Sequence, residues 1–166
     1  MKKIALVSIW IAILGVSQCV AQSNNSQIAA NWGQSVQGVQ LMITMTNRVF
    51  QIGSSSVVTS VTRNSSTNAI TIDVSAPTVE FDVLLKSETG KLYHITTPLK
   101  IRELSKPVMI NPGEEKSESI PVTFGVTRFG DAVEPGDYML KATRPFVLND
   151  KEYTVESNSI KVKIVK

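Results

Sequence analysis

The chain has 166 residues with 17 basic and 14 acidic side chains, which gives a formal net charge of +3. This length is enough for one domain with a sizeable hydrophobic core. The charge does not predict a nucleic-acid groove or an anionic membrane surface as a partner, because either would need clustered lysines and arginines.

Residues 1–21 are predicted to be a secretory signal peptide. Lys2 and Lys3 precede an apolar run at 4–16, and a more polar stretch then ends at Ala21. These are the charged, apolar and cleavage regions of an export signal, and the run is shorter than the roughly 20 residues that cross a bilayer. We therefore expect cleavage after Ala21, a periplasmic or extracellular location, and no membrane span in the mature chain.

A second interpretation makes Cys19 the lipid-modified first residue of a lipoprotein. The preceding residue is Gln18, where a lipidation signal normally has Gly, Ala or Ser, so cleavage after Ala21 is preferred. That cleavage removes the single cysteine, and no disulfide or thiol chemistry is expected. It also removes Lys2 and Lys3, so the 17 basic residues fall to 15 against 14 acidic ones, and the basic pI belongs largely to the signal.

Residues 22–38 are predicted to be a polar tether and lead-in segment before a domain at 39–166. The first part is rich in Gln, Asn and Ser, with little apolar content until Trp32. The indole is expected to cap one end of the core. The functional alternative is sugar stacking, but a tryptophan without neighbouring aromatics more often has a packing role.

Short segments of alternating apolar and polar residues follow. Residues 49–53 are predicted to continue the first strand, and Pro107 is predicted to limit an edge strand at 99–104. Residues 63–68 are interpreted as a polar connection, and 87–91 as a hairpin loop. The strands are predicted at 39–45, 56–62, 69–72, 79–85, 92–95 and 120–124, and in a closing hairpin within 132–166.

The closing hairpin begins with the turn residues Pro135 and Gly136. Tyr138 then heads a buried face, and its position is typical of a tyrosine corner, in which the hydroxyl bonds to backbone of the preceding connection. Seven to nine short strands about ten residues apart, with no helical period, predict one all-β domain. Its expected architecture is an antiparallel immunoglobulin-like β-sandwich.

The sequence also resembles exported bacterial immunoglobulin-like domains, most of which have no assigned activity. The similarity lies in W-G-x-x-V-x-G-V-Q-L from Trp32, F-x-x-G from Phe50, F-D-V-L-L with its E-T-G-K hairpin, and P-G-D-Y…S-N-S-I-K-V. The middle and end resemble, more weakly, the bacterial intracellular proteinase inhibitor domain. These resemblances imply a sandwich fold and, for the second family, inhibition of a protease.

Residues with catalytic or metal-binding chemistry are scarce. His94 is the only histidine, and it is expected to be a surface residue, with Tyr93 and Ile95 on the opposite side of its strand. No catalytic, cofactor-binding or metal-binding residues are assigned, and no cofactor is expected. Asp131, Glu134 and Asp137 could offer oxygens to calcium, but their spacing matches no loop of defined ligand geometry, and a solvated turn is preferred.

The preferred function is therefore an exported, non-catalytic interaction or structural module of the bacterial envelope or extracellular space. Its partner is expected to be another protein or an envelope component, without nucleic acid. The alternative is a protease inhibitor that acts through an exposed loop. The candidate loops for that alternative are Arg63 to Asn68 and Arg144-Pro145-Phe146.

Overall fold

The computed structural model describes residues 31–74, 81–95, 106–127, 130–149 and 151–166. These ranges contain eleven strands and no helix, and therefore no helix long and apolar enough to span a membrane. The predicted all-β sandwich is confirmed. The strands are β1 (Val39–Thr44), β2 (Val49–Gln51), β3 (Ser55–Asn64), β4 (Ile70–Val74), β5 (Asp82–Ser87), β6 (Leu92–His94), β7 (Lys106–Ile110), β8 (Glu115–Thr123), β9 (Gly136–Leu148), β10 (Lys151–Glu156) and β11 (Ile160–Val165).

One sheet is antiparallel and has the order β1-β3-β8. Beyond the ends of β3 and β8, the strands β4 and β7 form a further antiparallel pair. Asn64 is fully buried at this junction, where its amide nitrogen donates to the carbonyls of Asn68 at 2.7 Å and Ile110 at 2.9 Å. The predicted polar connection at 63–68 was therefore wrong at its start, because Arg63 and Asn64 belong to β3.

The second sheet has the order β2-β11-β9-β5-β6, and β10 pairs with the C-terminal half of β9. The predicted β5–β6 hairpin is confirmed, with Gly90 at φ 89° in its loop. In β9 the apolar or aromatic side chains at even positions face the core. Leu140 is fully buried and lies opposite Leu85 on β5 and Ile160 on β11.

A β-bulge separates β10 from β11. Glu156 pairs with Thr143 and Ile160 pairs with Leu140, so three residues of one strand face two of β9. The Ser157 hydroxyl accepts a hydrogen bond from the Ala142 backbone N–H at 2.9 Å, where a regular ladder would supply a carbonyl. The Asn158 side chain reaches the other sheet and bonds both the N–H and the carbonyl of Ile43. The bulge thus joins one edge of each sheet.

The prediction that residues 49–53 continue the first strand was wrong. The strand β2 lies in the other sheet and runs parallel to β11, with Phe50 opposite Ile164. The Phe50 ring stacks on Phe124, with centroids 3.9 Å apart, so the chain gains core packing by changing sheets after Thr44. This parallel pair is also a departure from the expected fully antiparallel arrangement.

Pro107 lies inside β7 opposite Asp73, and the edge strand at 99–104 that it was predicted to limit is outside the described residues. A proline is tolerated where its missing N–H faces away from the ladder. The strand count in the described ranges exceeds the predicted seven to nine because β2 and β7 are separate strands and the bulge divides the last strand into β10 and β11. The signal peptide, Cys19, the tether up to residue 30 and the expected edge strand at 99–104 lie outside the described residues.

Candidate binding face

The outward side of the six-stranded sheet carries a row of exposed side chains across four neighbouring strands. The register places Lys161 opposite Met139, Met139 opposite Lys86, and Lys86 opposite Leu92. Met139 is 41% exposed and Leu92 is 55% exposed. Because strands in a sheet lie about 4.8 Å apart, the row spans about 14 Å. We call Lys161, Met139, Lys86 and Leu92 the outer row.

A shallow depression of about 320 Å³ lies at the outer row. Its lining includes lysine donors, carboxylate acceptors and the apolar side chain of Met139. Such a surface can bind a polar segment through hydrogen bonds while covering one apolar side chain. The lining residues are Lys86, Ser87, Glu88, Asp137, Tyr138, Met139 and Lys161.

The lysines at this face differ in their ion pairs. Lys161 lies 3.9 Å from the Asp137 carboxylate, and Lys141 lies 3.2 Å from Glu156. Lys86 has no carboxylate within 4.0 Å among the residues that the structure describes. A surface ion pair is worth little, so all three lysines can exchange or gain a partner at small cost. A new carboxylate partner costs least at Lys86, because no ion pair with a described residue must break first.

His94 lies at the β6 end of the same outward side. Its Nδ1 atom is 2.7 Å from the Asp82 carboxylate, and the two side chains are 39% and 31% exposed. Tyr93 and Ile95 are buried on the opposite side, as predicted from the alternation. The predicted surface histidine is therefore half-exposed and held by a carboxylate, and the pair adds a polar end to the face.

Tyr138 forms the predicted tyrosine corner beneath this face. Its hydroxyl donates to the Glu134 carbonyl at 2.7 Å, and only 5% of the residue is exposed. The ring meets Tyr93 edge-on, with centroids 5.9 Å apart and planes at 77°. Burial is the main cause that raises the pKa of the Tyr138 phenol, since the charged form is disfavoured away from water. The corner fixes the first residues of β9 at the depression.

The acidic connection before β9 does not gather its carboxylates. The Asp131 side chain lies 3.3 Å from the Thr127 hydroxyl, while Asp137 faces Lys161. Glu134 contributes its backbone carbonyl to Tyr138. Across the described ranges, no group of three or more His, Cys, Asp or Glu residues could hold a metal ion. Asp131, Glu134 and Asp137 thus have separate structural contacts.

Trp32 lies against Arg63, whose guanidinium carbon is 4.2 Å from the ring centroid. Arg63 also donates to the Gln40 side-chain oxygen at 2.6 Å. The half-buried indole is not part of the hydrophobic core, so the prediction that it caps the core was wrong. The guanidinium covers one face of the ring, which agrees with the packing role rather than with a free sugar-stacking platform.

Of the two loops nominated for a protease inhibitor, 144–146 is not a loop, whereas residues 65–68 of the other lie in the connection between β3 and β4. Arg144, Pro145 and Phe146 lie inside β9, and Arg144 is 1% exposed. The Arg144 Nη1 atom lies 2.6 Å from the Glu118 carboxylate and 3.0 Å from the Thr62 hydroxyl. Apolar or aromatic residues at 138, 140, 142 and 146, interrupted by Arg144, are the sequence signal that could have identified this strand.

No protein-family model matches the chain, and no curated protein matches it. Solved structures that match part of this chain include a β-glucosidase from Listeria innocua in complex with glucose, at 19% identity and a TM-score of 0.43, over 81% of this chain and 17% of that one. The sporulation control protein Spo0M from Bacillus subtilis has 10% identity and a TM-score of 0.45, over 78% of this chain and 50% of that one. A PapD-like domain of human CEP192 has 12% identity and a TM-score of 0.36, over 78% and 86% of the two chains. The chain spans only 15–17% of the β-glucosidases it matches, and these likenesses do not show catalytic activity.

Proposed function

We propose that the chain is an exported, non-catalytic interaction module that binds another protein or an envelope component through the outer row. The observation that carries the proposal is the alignment of two exposed apolar side chains, Leu92 and Met139, with two lysines across four rigid strands. Exposed apolar side chains bordered by polar groups are typical of interaction sites. The sheet fixes their spacing, so binding requires little ordering of backbone.

The favoured partner is a protein segment with an apolar side chain over Met139 and a carboxylate near Lys86. Methionine adapts its shape to different apolar groups, and Lys86 has no ion partner among the described residues that a ligand would have to displace. The depression also offers Glu88 and Asp137 as acceptors for backbone or side-chain donors. This chemistry supports recognition of a mixed polar and apolar surface rather than a reaction.

Site-specific photo-crosslinking in the producing cells tests the proposal. Benzoylphenylalanine replaces Met139 in one variant and Val57 in a matched control. Val57 is 51% exposed but lies on the outward side of the other sheet. We expect a discrete adduct from position 139 that the additional change Lys86→Glu weakens, and no such adduct from position 57. Equal adducts from both positions, or none from position 139, would contradict the assigned face.

The exported location is a separate part of the proposal. Lys2 and Lys3, the apolar run and Ala21 support cleavage that leaves Gln22 as the first residue. Intact-mass analysis of the protein from the producing cells should find this species. A lipid-modified chain that begins at Cys19 would instead establish a lipoprotein.

A further inference from the structure

The outer edge of β10 carries backbone groups that point away from the sheet. At the bulge, the Ser157 N–H donates to the Ala142 carbonyl, so these two residues form a hydrogen-bonded pair. Such pairs alternate with non-hydrogen-bonded pairs along an antiparallel ladder. The pair of Pro145 and Thr154 is thus non-hydrogen-bonded, which agrees with the missing N–H of proline. The N–H and carbonyl groups of Glu152 and Thr154 therefore face outward.

Among the described residues, this outer edge is covered along β11 and at the bulge but not along β10. The strand β2 covers the edge of β11, and Asn158 bonds to Ile43 at the bulge. Gly33 lies against the backbone of Glu156, where an added Cβ would be 1.9 Å from the carbonyl oxygen. Within the described part of the chain, no hydrogen bond reaches the outer edge at 151–155. These five residues, about 17 Å of strand, therefore form an edge with no hydrogen-bonded neighbour among the described residues, which we call the free edge.

The side chains on the solvent side of this edge are acidic. Glu152, Thr154 and Glu156 alternate along it, and all three are exposed. Glu156 is 3.2 Å from Lys141, whereas Glu152 has no cation within 4.0 Å among the described residues. A strand that carries basic side chains at alternate positions would place one opposite Glu152. Opposite charges on facing strands stabilise a pair, and like charges destabilise it.

A second copy of the chain fits this edge less well. If the pairing centres on Thr154, Glu152 of one copy meets Glu156 of the other, which places like charges opposite each other. If it centres on Tyr153, each Glu152 meets a Thr154 and gains no cation. Charge complementarity therefore selects a basic strand from a different protein over self-association.

We propose that β10 accepts an extended, basic segment of a partner protein by β-strand addition. The segment pairs with the outward N–H and carbonyl groups of Glu152 and Thr154, and one of its basic side chains lies beside Glu152. In this mode the main-chain hydrogen bonds give affinity and the alternate side chains give specificity. The site is separate from the outer row, so it does not depend on the proposed function.

Two synthetic peptides test this proposal with the mature domain, one of alternating threonine and lysine and one of alternating threonine and glutamate. Backbone amide shifts in NMR titrations report the binding site. We expect the basic peptide to shift the amides of β10 and the acidic peptide to leave them unchanged. Thr154→Pro removes an outward N–H that the β9 ladder does not use, and should weaken binding by about tenfold or more. The matched control Thr154→Val keeps the backbone donor and should bind like the parent.

Further variants make the outcome decisive. Glu152→Lys changes only an exposed charge and should also weaken the basic peptide, so it decides the matter if Thr154→Pro does not fold. Met139→Glu should not alter peptide binding, which separates this site from the outer row. Equal binding of both peptides, shifts away from β10, or no binding at millimolar peptide would overturn the proposal. A dimer that Thr154→Pro dissociates would also overturn it, because a second copy would then occupy the edge.

Discussion

The buried ion pair of Arg144 and Glu118 gives the sharpest stability prediction. Their side chains are 1% and 7% exposed, and the pair joins the two sheets of the sandwich. The guanidinium carbon also lies 4.8 Å from the centroid of the Phe81 ring. Glu118→Leu removes the carboxylate that lies 2.6 Å from the guanidinium but keeps the buried cation. Loss of one partner from a buried pair typically costs about 3 to 5 kcal/mol, and we expect a destabilisation in that range.

The double variant Arg144→Met with Glu118→Leu should recover much of this loss. Methionine retains an unbranched apolar chain against Phe81, and neither replacement leaves a buried charge. Replacing both members of a buried pair with apolar residues of similar volume is often neutral. We therefore expect the two changes to be non-additive, with a coupling energy of about 2 kcal/mol or more. Urea unfolding of the parent, both single variants and the double variant gives this energy from midpoint shifts at constant m.

The exposed pair of Lys141 and Glu156 is the matched control, since Lys141 lies on the same strand, three residues before Arg144. Its side chains are 42% and 60% exposed, and the same cycle should give about 0.2 to 1 kcal/mol. Salt should reduce the exposed coupling and leave the buried one nearly unchanged. A buried coupling below about 1 kcal/mol, or one that salt abolishes, would refute the conclusion that this ion pair ties the sheets together.

Three further predictions concern the corner and the lead-in segment. In urea unfolding, Tyr138→Phe should cost about 0.5 to 1.5 kcal/mol through the hydroxyl bond to Glu134, and Tyr138→Ala roughly 3 to 5 kcal/mol through an added cavity; equal losses would contradict the corner. Because burial raises the folded pKa of Tyr138, its contribution is complete below the ordinary tyrosine pKa of about 10 and is lost as pH rises through the folded value. Urea midpoints should therefore fall with rising alkaline pH, and less steeply in Tyr138→Phe; the same slope in both would contradict the shift. Gly33→Ala should cost about 1 to 3 kcal/mol, because the added Cβ meets the Glu156 carbonyl, whereas the control Gly136→Ala meets nothing closer than 3.5 Å and should be nearly silent; equal urea midpoints would exclude this close contact.

The sequence predicted those strands in which a consistent apolar alternation coincides with burial. In β1 and β11 the inward positions are apolar throughout, and in β5 Val83 and Leu85 are apolar, so a period of two residues was sufficient to predict these strands. Arg144 interrupts that pattern at an inward position of β9, and its partner Glu118 lies 26 residues away. The three residues of β2 are too few to show a period. The strand β2 lies in the second sheet because Phe50 packs on Phe124, and this contact joins residues far apart in the sequence.

The candidate face was less accessible to sequence reasoning than the fold. Alternation places Lys86, Met139 and Lys161 on the outward side of their own strands, but it does not show that they are neighbours. That depends on the registers of β5 and β11 against β9, which are set by long-range pairing. Likewise, an exposed Glu152 is visible in the pattern, whereas its outward backbone groups follow from pairing with β9.

The bulge at 157–159 is the feature that makes both proposed surfaces compatible with one core. Core-facing residues have even numbers in β9 and β11 but odd numbers in β10. The extra residue between β10 and β11 produces this change, because a shift of one residue moves every side chain to the opposite face. Without it, the outward position of Lys161 would require Glu152 and Glu156 to face the core. The bulge therefore lets a single stretch of chain contribute lysine to the outer row and acidic side chains to the free edge while Val155 and Val162 stay buried.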